Sequence, residues 1–593
     1  MNMNRRMFFK SMGAATVAAA PISSALANVV SPKKWDQTCE VLVIGAGAAG
    51  LFAAVSAKES GAKSVVLLEK AASPFLNSTS LSAGSVNATG TKAQFAAGVE
   101  DRGNAAEFAK EVEKTGKGLA DPQLVKIFAE NSAMALDWLT DHGVVFTPQP
   151  NSAFRLKRMH GCDKHTGAQY VDVLFQNAKK IGVDIKLNTK VVELITNTEA
   201  NEVLGVKAES KGKPLYVRAT KGVVIATGGF CGDVNMIDKF ILDFRGALTF
   251  ASANSEGQGL KMAEKIGAAS THMNFAAVYG YGVPMSKDKN NRKGWIFRGH
   301  VMNLYGPITV GPDGKRFVND DLGATSISQA MSHLGFKKVF QVATEAQLLD
   351  FMKNDPIQVI GWDQNTFKKE LEEQKVFVVK ADTIAELAKK MGLPADQLEA
   401  TVKRYNQFVK NGKDEDFGRK YMKGTFEKGP FYGFIGQPIA GISLGGLKVN
   451  KDLQVLDVYD QPIKHLYAAG EAIGGIHGAI TGEVDLRTGK AVVYAENHTT
   501  RTTYKIPNVT DGQEHTITVL YMERGGYASN CNMTIKLPNL VPKSIHVIPA
   551  DQPNTQITKT VDGTDQDADG RPEFKVGETA TYTITVNNEG GGT

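Results

Sequence analysis

Cysteine is scarce in this sequence, with four residues among 593, all widely spaced. The chain has no C-x-x-C pair, which excludes the usual zinc-binding and dithiol redox motifs. It also has no C-x-x-C-H sequence, so this polypeptide carries no covalently attached c-type haem. Isolated thiols of this kind are best explained as small buried side chains. They are Cys39, Cys162, Cys231 and Cys531.

Metal-ligand spacing is also lacking. The segment around Arg158 contains two histidines, His160 and His165, but no carboxylate partner accompanies them at a ligand spacing. We therefore interpret His160 as a surface or loop histidine and predict no metal site.

Long apolar runs and one-sided blocks of charge are missing too. No stretch beyond the N-terminus is apolar enough to span a membrane, and the net charge of +6 is spread along the chain. We expect no transmembrane segment in the mature chain and no nucleic-acid partner. The N-terminus combines Arg5-Arg6, a short apolar core and a small-residue site ending at Ala27. This pattern is typical of a twin-arginine export signal, and it predicts a periplasmic or cell-surface protein.

The most informative stretch runs from Val41 to Lys70. Two apolar runs flank the sequence GAGAAG and an amphipathic segment, which predicts a strand, a tight turn, a helix and a parallel strand. Such a unit binds a dinucleotide pyrophosphate at the helix N-terminus, and Glu69 is placed to accept a ribose hydroxyl. The alternative is an ordinary glycine-rich turn. The predicted binding residues are Gly45, Gly47, Ala48, Ala49, Gly50, Glu69 and Lys70.

Two later apolar strands also end in glycine, in the sequences VVIATGGF and LYAAGE. Three glycine-ended strands in this order are typical of flavoproteins and indicate FAD rather than NAD. A loop of small residues after the first unit offers hydroxyls and backbone amides that could line a flavin. From these segments the predicted cofactor-binding residues are Asn77, Ser78, Thr79, Ala83, Gly84, Ala226, Thr227, Gly228, Gly229, Gly470 and Glu471.

Residues 35–479 resemble the fumarate reductase flavoprotein family, whose exported members include fumarate and urocanate reductases. The resemblance rests on several pieces in matching order: VLVIGAGAAGL, VVIATGGF, ANSEGQGLKMAEKIGA, GPDGKRFVND, TVKRYNQFVKNGKD, and GGLKVN through LYAAGEAIGGIHG. It implies an α/β, Rossmann-like FAD-binding fold with an inserted α+β capping domain. It also implies hydride transfer from flavin N5 to the β-carbon of an α,β-unsaturated acid. Without a haem motif, an external cytochrome or flavoprotein must supply the electrons.

The proton-delivering positions of this family are altered here. The position of its arginine proton donor falls on Ala324, and a methyl group cannot donate a proton. The relay glutamate corresponds to His300, whose ordinary pKa suits proton transfer, and the relay arginine corresponds to Asn303. Arg298 is a candidate anion binder.

The substrate-gripping positions are altered as well. A histidine pair that holds fumarate in relatives falls on Gly441 and Ile442, and a further histidine corresponds to Tyr279 or Tyr281. The resemblance therefore predicts a substrate other than fumarate, such as an apolar or aromatic enoate or a ring system, which would also suit Phe275. The predicted catalytic residues are Tyr279, His300 and Arg298.

From about residue 475 the pattern changes to two-fold alternation with turn residues, which predicts β structure. The run from GGIHGAITGEVDLRTGKAVV to LYMERGGYASNCNMTIKL resembles the β-sandwich modules of bacterial adhesins called fibro-slime domains. We interpret the chain as a fusion joined at GGIHG. The predicted divisions are a signal peptide (1–27), a flavin domain (35–274 and 442–479), a capping domain (275–441), an adhesin-like β-domain (480–550) and a linker with a partial β-domain (551–593).

The leading functional prediction is an exported FAD-dependent reductase of an activated C=C bond, acting on a small unsaturated carboxylate. Two alternatives remain. One is an FAD-dependent dehydrogenase of a ring ketone, as in the related ketosteroid enzymes. The other is a non-catalytic surface protein in which the flavin domain is a passenger of the adhesin module.

Overall fold

The computed structural model describes residues 32–478, except 100, 102, 150–155, 198–200 and 289, together with five strands nearer the C-terminus. The export signal predicted for residues 1–27 and residues 479–489, which follow the predicted junction at GGIHG, lie outside the described residues. Cys39, Cys162 and Cys231 are buried free thiols, as predicted. Within the described part of the chain, no helix has the length and apolarity needed to span a bilayer.

The first of two eight-stranded sheets is built on the strand predicted before the glycine turn. Its buried apolar residues pair in parallel with the next strand, Val65–Leu68, and with Lys213–Ile225, as in a sheet covered on both faces. In spatial order the strands are Gln454–Leu456, Pro462–Ala468, Glu202–Ser210, Lys213–Ile225, Gln37–Ile44, Val65–Leu68 and Asp184–Lys186, with Thr189–Asn197 paired to Glu202–Ser210.

The second sheet belongs to the region between the two halves of the first. Its longest strand, Phe431–Ser443, which we call the return strand, runs from this region back toward the first sheet. Beside it lies Ala276–Pro284, which we call the tyrosine strand. The other strands are Leu248–Thr249, Gly294–Phe297, Ile308–Val310, Val339–Thr344, Val359–Ile360 and Val378–Ala381.

Helices cover both sheets, and many begin with a side-chain cap such as Asp121 or Thr344. The α-helices are Ala48–Glu59, Ser78–Leu81, Lys92–Ala96, Ala105–Thr115, Pro122–Asp141, Ala168–Lys180, Val234–Phe240, Gln258–Lys265, Gly299–Met302, Ala324–His333, Glu345–Asn354, Gln364–Glu373, Ile384–Met391 and Ala395–Asn411. Short 3₁₀ turns span Leu242–Phe244, Asn303–Tyr305 and Gly470–Ala472, and minor strands are Ser85–Asn87, Phe146–Gln149, Met159–Cys162, Ser270–Thr271 and Gly446–Leu447.

Five strands lie within the C-terminal stretch where alternation predicts β structure. Lys490–Val493 pairs in parallel with Thr516–Val519, and Thr579–Asn588 pairs in antiparallel fashion with Asn530–Pro538 and Thr555–Asp562. The adhesin-like domain and its boundaries stay predictions.

An aromatic cluster forms the core of the second sheet. Phe297 is 1% exposed and stacks on Phe434 with ring centroids 5.0 Å apart, while the ring of Phe377 lies 5.2 Å away. Large rings packed in this way contribute both buried area and ring-to-ring attraction. This cluster therefore supports the strand that leads into the candidate site.

The substitution Phe297→Ala should lower the free energy of unfolding by about 3 to 5 kcal/mol, because it leaves a cavity among close-packed rings. Urea unfolding followed by tryptophan fluorescence measures this, since Trp295 and Trp362 pack against the same cluster. Leu349→Ala, at a side chain that is 57% exposed, is the matched control and should change stability by about 0.5 kcal/mol or less. Equal losses in the two variants would contradict the packing argument.

Candidate functional site

The predicted glycine turn forms at the carboxyl end of the strand Gln37–Ile44. Gly45 has φ +108°, and a Cβ there would lie 2.4 Å from the carbonyl oxygen of Ala226. A Cβ at Gly50 would lie 2.0 Å from the carbonyl oxygen of Gly45. Side chains at these two positions would separate the turn from its neighbours. At Gly47, by contrast, the nearest atom to an added Cβ is Thr79 Oγ1 at 3.6 Å, so the backbone there is open.

Glu69 is buried at the end of the second strand and holds the turn. Its Oε2 accepts a hydrogen bond from the backbone N–H of Ala46 at 2.7 Å, and its Oε1 accepts one from Ala71 at 2.8 Å. The neighbouring Lys70 forms an ion pair of 3.1 Å with Glu256 and donates to Gln258. Lys70 is therefore already bound to another loop, while the predicted contact of Glu69 with a ribose stays a proposal.

The loop of small residues that begins at Asn77 packs directly on the glycine turn. Thr79 Oγ1 accepts from the backbone N–H of Ala48 at 3.2 Å, and the Asn77 amide donates to the carbonyl of Ala46 at 3.4 Å. Ser78 Oγ lies 2.9 Å from Ser255 Oγ. The start of the loop thus reaches the predicted pyrophosphate position.

The end of this loop turns away from the glycine turn. Ala83 is exposed. Gly84 packs against Cys162 and Thr166, and its carbonyl accepts from the hydroxyl of Tyr170. These two residues are therefore weaker candidates for contact with a cofactor.

The three glycine-ended strands meet at one edge of the first sheet. Ile225 pairs in register with Ile44 on one side and with Ala468 on the other. Immediately beyond these positions, Gly228 and Gly470 have φ of +74° and +68°. The three glycine-ended strands therefore lie side by side and end at the same edge of the sheet.

The convergence leaves features that fit a bound dinucleotide. The N-cap residue of the helix Ala48–Glu59 is Gly47, which has no side chain and leaves open the space that a Cβ would fill. Thr227 Oγ1 is buried and has no hydrogen-bond partner among the described residues. Unpaired buried hydroxyls are rare in folded proteins, and a polar ligand would satisfy this one. The predicted binding residues at this edge are therefore compatible with FAD.

Glu471 is half-buried beside Gly229 and bonds to the return strand. Its Oε1 accepts from the backbone N–H of Ser443 at 2.9 Å and from Ser443 Oγ at 3.1 Å. Burial raises the pKa of this carboxyl above its ordinary value, although hydrogen bonds from Ser443 and Gly229 oppose the shift. The contribution of Ser443 escaped the sequence reasoning, because no local pattern marks this serine as the partner of a carboxylate 28 residues away.

Tyr279 lies on the tyrosine strand between two irregularities in its pairing with the return strand. One falls between Ala277 and Val278 and the other between Tyr279 and Gly282. The ring of Tyr279 packs with Leu248, Ile296 and Ile439. Burial raises the pKa of its hydroxyl, and Cys231 and Glu471 act in the same direction. Tyr279 is thus placed near the glycine-ended strands.

Tyr281 belongs to the opposite face of the sheet. Its hydroxyl lies 2.8 Å from Thr309 Oγ1 and accepts from Asn303 at 3.3 Å, and its ring lies in the Phe297 cluster. Residues two apart on a regular strand lie on the same face of the sheet. Because the pairing is irregular after Tyr279, Tyr279 and Tyr281 lie on different faces. The structure therefore separates Tyr279 from Tyr281, which sequence spacing could not do.

His300 follows Arg298 at the start of the helix Gly299–Met302. Its Nδ1 is buried without a hydrogen-bond partner among the described side chains. Burial, aided by the Arg298 guanidinium, lowers the pKa of His300 from 6.5 to about 4. The expectation of an ordinary pKa at His300 is thus wrong, because burial moves the pKa well away from neutral pH.

Arg298 is already paired, and Ala324 is buried. Arg298 Nη1 lies 2.5 Å from Oδ1 of Asp355 and 3.2 Å from the carbonyl of Ile357. Ala324 begins the helix Ala324–His333, which packs against the tyrosine strand through Ser328. Arg298 is therefore a weaker candidate for anion binding than its sequence position suggests.

His160 is not a surface residue, in contrast to the sequence interpretation. It is fully buried on the strand Met159–Cys162, with Nε2 2.8 Å from Thr91 Oγ1 and Nδ1 2.9 Å from the carbonyl of Arg158. Burial lowers its pKa. Both ring nitrogens are used internally. Among the described residues, no cluster of three or more histidine, cysteine or acidic side chains could hold a metal ion.

Comparison with known proteins agrees with this geometry. The profile of the FAD binding domain family matches residues 40–483. A probable fumarate reductase of Shewanella frigidimarina is 33% identical over 451 residues, which are 75% of this chain and 71% of the relative. A solved flavocytochrome c3 fumarate reductase in an open conformation superimposes with a TM-score of 0.61 at 31% identity, covering 75% of this chain and 74% of that chain.

Two further relatives reduce other substrates, according to their names. The acrylate reductase flavoprotein subunit of Shewanella woodyi is 30% identical, with 80% of this chain and 94% of the relative covered. The vinyl phenol reductase of Lactiplantibacillus plantarum is 30% identical, with 75% and 91% covered. The similarity therefore extends to reductases of several kinds of alkene.

Replacing Gly47 by Ala tests the open turn. The methyl group meets no close protein atom, so the fold should persist, but it occupies the space expected for a pyrophosphate. We expect the dissociation constant for FAD to rise about tenfold or more, measured by quenching of FAD fluorescence on titration with apoprotein. Gly323→Ala also meets no protein atom and is the control, and unchanged FAD affinity in Gly47→Ala would refute the placement.

His300→Asn tests the depressed pKa. Between pH 6.5 and 4 the unfolded chain takes up a proton at His300 that the folded chain does not, so wild-type stability falls as the pH drops through this window. At pH 5 this cost is about 1 to 2 kcal/mol, and the variant should lack it. Urea unfolding at pH 7 and pH 5 measures the difference. His165→Asn is the control, because His165 is exposed. Its backbone has φ +51°, a conformation that asparagine adopts readily.

Proposed function

The chain belongs to the FAD binding domain family and is an FAD-dependent oxidoreductase, and from that premise we propose that it is an exported reductase of an α,β-unsaturated carboxylate. The C=C bond of the substrate carries an apolar or aromatic substituent, and fumarate itself is not the substrate. The relatives named above as reductases of fumarate, acrylate and vinyl phenol support the reaction class. An external cytochrome or flavoprotein supplies the electrons.

The observation that carries the substrate assignment is the pairing of arginines in residues 275–441. Every arginine in that range forms a salt bridge with an aspartate, so a substrate with one carboxylate is easier to accommodate than a dicarboxylate, which requires two cationic partners. The pairs are Arg292 with Asp238, Arg298 with Asp355, Arg316 with Asp320 and Asp414, Arg404 with Asp416, and Arg419 with Asp321.

The surface near Tyr279 also favours an apolar substituent. Ile442 is 43% exposed although its neighbours Ala440 and Ser443 are buried, and Gly441 adds no side chain. A dicarboxylate placed here would lose hydration without gaining a cation, which is unfavourable. An aromatic or alkyl group would instead bury the exposed isoleucine.

Tyr279 is proposed as the proton donor. When bound and reduced, FAD supplies the hydride for the β-carbon, and a proton must reach the α-carbon to complete the reduction. The hydroxyl of Tyr279 is protonated at neutral pH, whereas the imidazole of His300 is uncharged and Ala324 has no proton to give. Water returns the proton to the tyrosine after the product leaves.

We expect cinnamate to be reduced with a kcat/KM at least about ten times that for fumarate, with reduced methyl viologen as the electron donor. Tyr279→Phe should lower kcat about 10- to 100-fold with FAD still bound, because it removes the proposed proton donor. The assay follows the loss of absorbance as reduced methyl viologen is oxidised. Tyr281→Phe removes a hydroxyl on the other sheet face and should keep kcat within about threefold.

Four outcomes would redirect the assignment. Preference for fumarate would contradict the substrate class, and an unchanged kcat in Tyr279→Phe would contradict the proton donor. Oxidation of a 3-ketosteroid without any enoate reduction would favour the ring-ketone dehydrogenase. A purified protein with no flavin absorbance would favour the non-catalytic surface protein.

A further inference from the structure

The return strand meets the flavin domain through backbone pairing with Leu248–Thr249 and, at its end, through the side chain of Ser443. Ser443 is its last residue and is 2% exposed. Its hydroxyl donates to Oε1 of Glu471 at 3.1 Å and accepts from the backbone N–H of Phe230 at 3.2 Å. A single side chain therefore joins the return strand to two of the three glycine-ended segments.

This junction admits little change in shape. A Cβ at Gly229 would lie 1.9 Å from Ser443 Oγ and 2.3 Å from Oε1 of Glu471. The serine and the carboxylate are thus packed against bare backbone. Loss of the hydroxyl would leave the N–H of Phe230 without this partner in a buried place, which is costly.

The residues just before Ser443 form the irregular part of the strand. Ala277 pairs with Ile442, but the next residue, Val278, pairs with Ala440, so Gly441 is the extra residue of a β-bulge. Bulges of this kind redirect the neighbouring side chains. Here the bulge is followed by Ile442, which is 43% exposed.

Tyr279 lies over the same bulge. A Cβ at Gly441 would be 3.0 Å from Cε2 of the tyrosine ring. The position of the Tyr279 ring therefore depends on the position of the Gly441 backbone. The hydrogen bonds of Ser443, two residues later, hold that backbone in place. A shift at Ser443 would move Ile442 and the support of Tyr279 together.

We propose that Ser443 and Glu471 are a positioning pair, which holds the Gly441 bulge so that Ile442 and Tyr279 form one face for the substrate's substituent. The inference rests on the proposed function for the identity of the substrate. It assigns Glu471 a role through Ser443, in addition to any contact with the cofactor. Neither residue donates a proton in this scheme.

The test compares Ser443→Ala and Ser443→Thr in the FAD-loaded protein. Cinnamate binding is measured from the change in the visible flavin spectrum, and FAD affinity from fluorescence quenching. We expect Ser443→Ala to weaken cinnamate binding about tenfold or more while FAD affinity stays within about threefold. Ser443→Thr keeps the hydroxyl but adds a methyl group at a tightly packed position, so it should recover part of the cinnamate binding that Ser443→Ala loses.

Amide hydrogen exchange gives a readout that needs no substrate. In Ser443→Ala, peptides covering residues 276–282 and 438–444 should exchange about tenfold faster, while the Phe297 cluster is unchanged. Normal exchange in these peptides, or equal loss of FAD and cinnamate, would overturn the positioning role. If wild-type protein binds no enoate but the exchange result holds, the proposed substrate fails and the positioning pair stands.

Discussion

The structure depends on the close approach of backbone segments at one edge of the first sheet. Where the strand Gln37–Ile44 ends, the turn at Gly45 lies against the carbonyl of Ala226, at a distance that no side chain would allow. A second close contact, between Gly470 and Ala49, places the end of the strand Pro462–Ala468 against the same turn. Because glycine alone tolerates both the positive φ and the contact, these positions determine whether the cofactor edge can form.

The second sheet depends on this edge through buried polar contacts rather than through apolar packing alone. Glu471 and Ser443 join the return strand to the flavin domain, and the serine is buried while the glutamate is half-buried. Buried polar groups are stable only when they are paired, so this contact requires a particular arrangement of the strands. The same principle explains why arginines such as Arg316, between Asp320 and Asp414, serve the fold and are not free for a substrate.

Predictions of backbone structure from the sequence agree with the structure better than predictions of side-chain chemistry. Glycine positions and apolar strands predicted the strand, turn, helix and parallel strand that the structure shows, because a turn, a helix start and a buried strand each leave a local pattern. Side-chain chemistry was harder to predict. His160 is a buried, fully bonded histidine, and His300 has a pKa far below the usual value, because both depend on burial that spacing does not reveal.

The sequence by itself determined the fold class and the cofactor, since three glycine-ended strands in this order require only short-range patterns to be recognised. Only the tertiary structure decided which tyrosine faces the candidate site, because an irregular register turns Tyr279 and Tyr281 to opposite faces. It also decided that Arg298 is bound to Asp355 and that Glu471 holds Ser443. Contacts between residues so distant in the chain arise from the packing of the sheets, which leaves no local signal.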